Sequence, residues 1–534
     1  MAWVRRVRTA SGATAVQIAE WTAGRRRIVR HIGSARDEAE LGLLIEQAQR
    51  LLDDERQGVL DLGLTPATRK VAMLAPAQVT LFAESTPTPR PVVARPRVLR
   101  TSSAVLFDAL AGVYSSLGFD ALADEVFRDL VVARVVEPAS LSDIDRVLAE
   151  LGRRSASLST RKRTLRPCAE RQYRDRLAEL CFAHAATHGD ISLVLYDVTT
   201  LYFEADNEDS LRKVGYSKER RVDPQIVVGL LVDRAGFPLE IGCFEGNMAE
   251  KHTLLPIIEA FKARHSIEHM VVVADAGMLS AANLSALDSA GYKFIVGSRQ
   301  TKAPIDLESH LRWHGDAFTD GQVIDTLTPK IGANADNDPF KRAEPVWDWS
   351  AHPSSWRAVW AYSRKRAVRD NKTFTAQENR ARAVVAGDKA ARKPRFVKTS
   401  RTGFTIDEAA LARARRLAGL KGYVTNIDTA VMPAAEVIAS YHDLWRVEQS
   451  FRMSKSDLAA RPMFARTRDS IEAHLSIVFT ALAVSRTVQD RTGISLRRVL
   501  RTPRPLRSAT IEINGDVQTF RPRSTPASPR YSTL

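Results

Sequence analysis

ISLVLYDV, residues 191–198, is a run of aliphatic and β-branched side chains interrupted only by a tyrosine and an aspartate near its end. A short apolar run of this kind predicts a strand buried on both faces. QIVVGLLVD (225–233) and PLEIGCFE (238–245) predict two more strands, joined through RAGF as a hairpin. TLLPIIEAFKARH (253–265) is spaced as an amphipathic helix, with Pro256 in the first turn where proline is tolerated. MVVVAD (270–275) reads as a fourth strand, LSAANLSALDSAG (279–291) as a helix ended by Gly291, and YKFIVG (292–297) as a fifth strand. The pattern β-β-β-α-β-α-β predicts an α/β fold, its hairpin strands antiparallel and its later strands linked by helical crossovers.

On the N-terminal side, residues 1–84 open with two alternating runs around Val4–Val7 and Ala15–Trp21. They predict a β-hairpin or meander followed by a helix over 36–53. The Pro-rich stretch within 85–100 predicts a linker, since proline forbids a regular helix. Residues 101–188 hold three helical patterns over 103–151, a basic segment at 153–166 and a helix at 169–182. The α/β core takes up 189–299. Residues 300–420 break its rhythm with Trp313, Trp347, Trp349, Trp356 and Trp360, then a basic helical pattern from Ser363 to about Arg401, and read as an insertion. The core resumes over 421–495, with KGYVTNI (421–427) as a strand and helices at 433–456 and 470–491. Residues 496–534, rich in Arg, Pro, Ser and Thr, predict a disordered basic tail.

Charge narrows the class of partner. Seventy-eight Lys and Arg against sixty-two Asp and Glu leave +16. That excess favours a polyanion, because each phosphate neutralised releases condensed counterions. A chain merely rich in arginine would show the same sum. The three cysteines, Cys168, Cys181 and Cys243, form no CxxC pair, which fits a reducing cytoplasm. MAWVRRVRT lacks the apolar stretch of a signal peptide. LSIVFTALAV (475–484) is half the length that spans a bilayer and predicts a buried helix, so no membrane partner is expected.

Three acids stand where chemistry is usually placed. Asp197 and Asp275 close apolar strands, and Gly277 follows the second. An aspartate ending a VVVA run must be solvated, paired or holding a cation. Each alone reads more readily as a helix cap than as a metal ligand. On a helix, Tyr441, Leu444 or Trp445, Glu448, Arg452 and Lys455 share one face. Its ordinary reading is a solvated surface with a Glu–Arg pair. His252, His265 and His269 lack zinc-site spacing and read as packing or surface residues.

Taken together, Asp at strand one, Asp after strand four and a helical Glu resemble the ribonuclease H-like core of DDE transposases. The helix resembles the Y-x2-R-x3-E-x6-K signature of bacterial insertion-sequence transposases, especially the insertion-sequence family four superfamily. Tyr441, Glu448 and Lys455 fit its spacing; Leu444 stands at the Arg position, with Arg446 and Arg452 as candidates for that role. YDVTTLYFE (196–204), GYSKERR (215–221), VVADAGMLS (272–280) and RVEQSFRMSK (446–455) add to the likeness.

The resemblance implies two Mg²⁺ or Mn²⁺ ions on Asp197, Asp275 and Glu448, with Asp197 bridging, and cleavage and strand transfer at transposon ends. It implies an N-terminal DNA-end-binding region, with terminal repeats and target DNA as partners, and a homodimer to synapse two ends. Tyr441, Arg446, Arg452 and Lys455, with Arg364, Lys365, Arg366 and Arg369 on the basic helix, are the expected DNA contacts. A ribonuclease H-like nuclease and an inactive DNA-binding descendant are the alternatives.

Overall fold

The computed structural model describes residues 2–8, 13–22, 25–35, 41, 44, 45, 47, 48 and 96–522, except 190, 205, 206, 217–221, 268, 279, 333–339, 390–393, 401 and 402. It contains two compact units, residues 1–91 and 92–534. In the first, strands β1 (Ala2–Arg8), β2 (Thr14–Thr22) and β3 (Arg25–Ala35) form an antiparallel meander. Val16 and Ile18 bury one face of it with Ala48 from a helical stretch. The rest of the helix expected at 36–53, and the Pro-rich stretch up to residue 95, fall outside the described residues.

The second unit opens with β4 (Arg97–Ser102). Its main sheet uses β5 (Leu193–Tyr202), β6 (Gln225–Asp233), β7 (Pro238–Glu245), β8 (Val271–Ala274) and β9 (Lys293–Ser298). These five lie in the order β7-β6-β5-β8-β9. β5, β6 and β7 are antiparallel, whereas β8 and β9 run parallel to β5. The helices Leu254–His265 and Ala281–Ser289 make the two crossovers, as the alternation of strand and helix spacing requires. This is the ribonuclease H-like arrangement. β6 is buried along almost its whole length, the mark of an inner strand covered on both faces.

The remaining strands revise the expected layout. β10 (Val323–Pro329) and β11 (Ser355–Tyr362), both within 300–420, extend the same sheet rather than standing apart, in the order β10-β11-β14-β9, where β14 is Leu420–Thr425. Among the described residues of that stretch, only β12 (Val397–Ser400) and β13 (Gly403–Ile406) form a separate ribbon, beside the helix Arg364–Val385. The tail at 496–534 is not disordered where it is described. The helix Leu496–Arg501 is followed by β15 (Ser508–Ile513) and β16 (Asp516–Phe520), a hairpin turning on Asn514 and Gly515, both at positive φ. Such a turn matches strand twist, and composition alone hid it. β15 also pairs with β4, so part of the expected linker is a strand.

Residues 101–188 form the helices Ala104–Ser116, Glu125–Val136, Ile144–Glu150, Leu158–Glu170 and Tyr173–His188. The basic segment at 153–166 is thus largely helical, starting at a Ser157 cap, and a break at Gln172 (φ 51°) splits the helix expected at 169–182 from it. These helices pack on Arg468–Thr492 and share one core with the sheet. That central helix is long and apolar enough to cross a membrane by length and composition, and 89% of its most apolar window is buried inside the protein.

Candidate active site

The sheet register sets two of the acids side by side. Tyr196 of β5 pairs with Ala274 of the parallel β8, and the next residues are Asp197 and Asp275. Tyr196 is fully buried and its hydroxyl donates to Thr253 Oγ1 at 2.8 Å, so Asp197 takes the opposite, more open face of the strand. Thr253 Oγ1 in turn donates to the Glu250 carbonyl at 2.7 Å, fixing the turn that carries Glu250 and Lys251.

Glu448 arrives from the helix Trp445–Ser456, which packs on β5 and β6. The helix expected over 433–456 is in fact two, because it breaks at Asp443 and Leu444 after Ala434–His442. Tyr441 and Glu448 nevertheless line one pocket with Asp197 and Asp275. The β6–β7 turn holds the second helix in place. The Ala235 carbonyl accepts from Arg446 Nη1 at 3.3 Å and Arg486 Nη2 at 2.8 Å, and Ser450 Oγ donates to the Gly236 carbonyl at 3.2 Å. Arg234 pairs with Asp443 at 3.2 Å.

The three acids also line a broader groove of about 930 Å³. Its walls carry Arg452, Lys455 and Arg461, together with Tyr216, Glu250 and Lys251. Arg461 gets there because the loop after the Glu448 helix returns to the end of β5, where the Met463 amide donates to the Tyr202 carbonyl at 2.9 Å. Nothing in the spacing of the sequence pointed to Arg461, Glu250 or Lys251, whereas Tyr216 lies in the GYSKERR run (215–221). Arg446, by contrast, is turned to the β6–β7 turn and lines neither cavity, whereas Arg452 lines the broader groove.

Tyr441 is buried at the edge of this site. Its hydroxyl donates to Asp275 Oδ1 at 2.7 Å and accepts from Lys421 Nζ at 3.4 Å. Burial, then the bond to Asp275, pushes the phenol well above its ordinary range, so it stays a donor. On the basic helix, Arg364, Lys365 and Arg369 are exposed, whereas Arg366 is half-buried and turned toward Lys421, Tyr423 and His442, whose titrations its charge affects. Of the five tryptophans, Trp347, Trp356 and Trp360 are core residues, and Trp313 and Trp349 are exposed. His265 packs between Phe182 and Phe261.

Among the described residues, no three carboxylate, imidazole or thiolate groups converge into a ready-made metal cage. Three acids lining one open groove suit a hard, small cation that keeps waters and takes substrate oxygens as its remaining ligands.

Residues 188–484, more than half of the chain, match the family model described as the Transposase DDE domain. No curated protein sequence matches. Among solved structures, the chain is similar to the piggyBac transposase synaptic complex with hairpin DNA, at 10% identity and a TM-score of 0.34, covering 75% of this chain and 69% of that one. The Mos1 transposase paired-end complex with the left transposon end matches at 11% identity and a TM-score of 0.15, over 47% and 66%. The Mos1 mariner paired-end complex with Mn matches at 11% identity and a TM-score of 0.14, over 47% and 67%.

Proposed function

The chain belongs to the DDE transposase family and is a DNA transposase, and on that premise we propose that Asp197, Asp275 and Glu448 carry its chemistry at the ends of a mobile element. The reaction is cleavage at the element's ends followed by attack of the freed 3′-OH on target DNA. One observation supports this assignment above the others. Residues 197, 275 and 448, far apart in the chain, line a single groove whose walls also carry cations.

Family membership implies dependence on divalent metal ions. The three carboxylates would hold two Mg²⁺ or Mn²⁺ ions, which when bound activate the attacking oxygen and stabilise the leaving one. The protein's own part is placement. Tyr441 fixes one oxygen of Asp275, leaving the other for a cation. Arg452, Lys455 and Arg461 offer charge-assisted hydrogen bonds to backbone phosphates beside the acids. Arg364, Lys365 and Arg369 extend the basic surface from the first turns of their helix, and a homodimer synapses the two ends.

The test is a cleavage and strand-transfer assay on a labelled element end. Asp197→Ala, Asp275→Ala and Glu448→Ala should each lower the rate by roughly 100-fold or more, since even outer-shell changes cost 10–100-fold. End binding should survive, because phosphate contacts come from cations elsewhere. A folded Glu448→Ala protein cleaving at the parental rate would refute the assignment.

A further inference from the structure

Asp275 stands exposed at the end of a short strand, and an exposed carboxylate turns freely unless one oxygen is held. Tyr441 holds Oδ1, and Tyr441 is itself tightly placed. Its ring lies edge-on to Tyr423 with centroids 4.9 Å apart. It also lies over Gly297 of β9, where a Cβ would come within 2.5 Å of the hydroxyl oxygen. That hydroxyl donates its hydrogen bond to Asp275 and has lone pairs left to accept another. The donor is Lys421, on β14 next to β9 in the sheet, with its Nζ also 4.9 Å from the centre of the Tyr441 ring.

Lys421 is costly where it stands. The side chain is half-buried, and burial lowers its pKa, with Asp275 opposing and Arg366 adding to that effect. An ammonium in such a place needs compensation, and here it comes from the tyrosine hydroxyl, the ring face and the charge of Asp275. The signature helix puts an apolar residue at this point. Leu444, at the position of the signature arginine, is buried, and Arg446 is engaged with Ala235 and Asp443.

We infer that Lys421 is a positioning residue of the metal site: it donates to Tyr441, which donates to Asp275, so that a strand of the sheet supplies the positive charge missing from the helix signature. A hydroxyl that accepts from a cation becomes a stronger donor, so the two bonds reinforce each other. The inference rests on the assignment of Asp275 as a metal ligand.

The full-length protein is compared with Lys421→Met, Lys421→Arg, Tyr441→Phe, the double variant Lys421→Met/Tyr441→Phe, and Asp275→Ala. Mn²⁺ binding without DNA is read by calorimetry, alongside the Mg²⁺ dependence of cleavage, DNA-end affinity and melting temperature. Lys421→Met should weaken Mn²⁺ binding by about tenfold, the lower end for an outer-shell partner, and raise the Mg²⁺ needed for half-maximal cleavage by the same factor. End affinity should hold and Lys421→Arg should recover most of the loss. The double variant should be no worse than either single one, as expected for links in one chain.

Parental Mn²⁺ binding in Lys421→Met overturns the inference. So do losses that multiply in the double variant, or a fall in DNA affinity with metal binding intact. Should the Met variant not fold, Tyr441→Phe with parental Mn²⁺ binding overturns it equally. An Asp275→Ala protein that still cleaves normally brings down the active-site assignment itself, whereas an inert one beside a parental Lys421→Met removes only the inference.

Discussion

Asp306 shows what a single buried side chain contributes to the fold's response to pH. It is fully buried, accepts from Trp360 Nε1 at 3.1 Å through Oδ2, and among the described residues has no hydrogen-bond partner on Oδ1. Burial pushes its pKa up to about 7, against the opposing hydrogen bonds from Thr328 and Trp360. A raised folded pKa means that the folded state keeps a proton the unfolded chain has released. Stability from this group is therefore complete below about pH 4 and is lost as pH rises towards 7, at no more than about 1.4 kcal/mol per pH unit. Asp306→Asn removes that slope. Melting at pH 5, 6, 7 and 8 should show the Asn variant gaining on the parent up to about pH 7 and levelling off above it, and a constant difference across the series would contradict the shift. Individual residues were unevenly legible in the sequence. Asp197 and Asp275 stood out because an acid ending an apolar strand demands an explanation, and Glu448 because of Tyr441 and Lys455 at helical spacing. Lys421 and Arg461 did not, since nothing near them in the sequence says which groove they face. Trp347, Trp356 and Trp360 of the expected insertion are occupied in packing.

Among elements, the turn between β6 and β7 has the largest effect on the site, since it fixes the helix bearing Glu448. Gly236 there has φ of +88°, and a Cβ would meet Arg486 Nη2 at 2.8 Å and Arg446 Cβ at 3.0 Å. Gly236→Ala should cost about 1–3 kcal/mol through backbone strain and crowding. It should also slow cleavage without weakening end binding. Melting and a single-turnover assay check both, and an unchanged melting temperature would show the turn to be slack. Strands β5 to β9 were readable because each is a short, almost unbroken apolar run. β10 and β11 were hidden by their polar and tryptophan-rich surroundings, and the break at Asp443 by an unbroken helical pattern on either side. The terminal hairpin lies in a stretch rich in Arg, Pro, Ser and Thr, although Asn514-Gly515 between alternating runs is a strong local turn signal.

The molecule as a whole carries its +16 unevenly in function. Many cations of the second unit are already paired, as Arg382 and Arg415 are with Glu378 and Arg416 is with Asp316. Arg364, Lys365 and Arg369 are exposed at the head of their helix, with Arg366 half-buried beside them. Replacing all four with glutamine should flatten the dependence of log affinity on log salt by up to about 0.9 for each phosphate no longer neutralised. Arg366 should contribute least. An unchanged slope in a salt titration would assign the group to a solvated face. One long-range pairing also sets a clock on the making of the protein. β4 finds its partner in β15, and Arg100 Nε donates to Thr510 Oγ1 across 410 residues of chain. At ~5–20 residues per second, a ribosome leaves that strand's edge waiting for roughly 20–80 s. Until β15 emerges, the backbone edge of β4 has no strand to pair with, so a product that stops before residue 508 leaves β4 as an open edge.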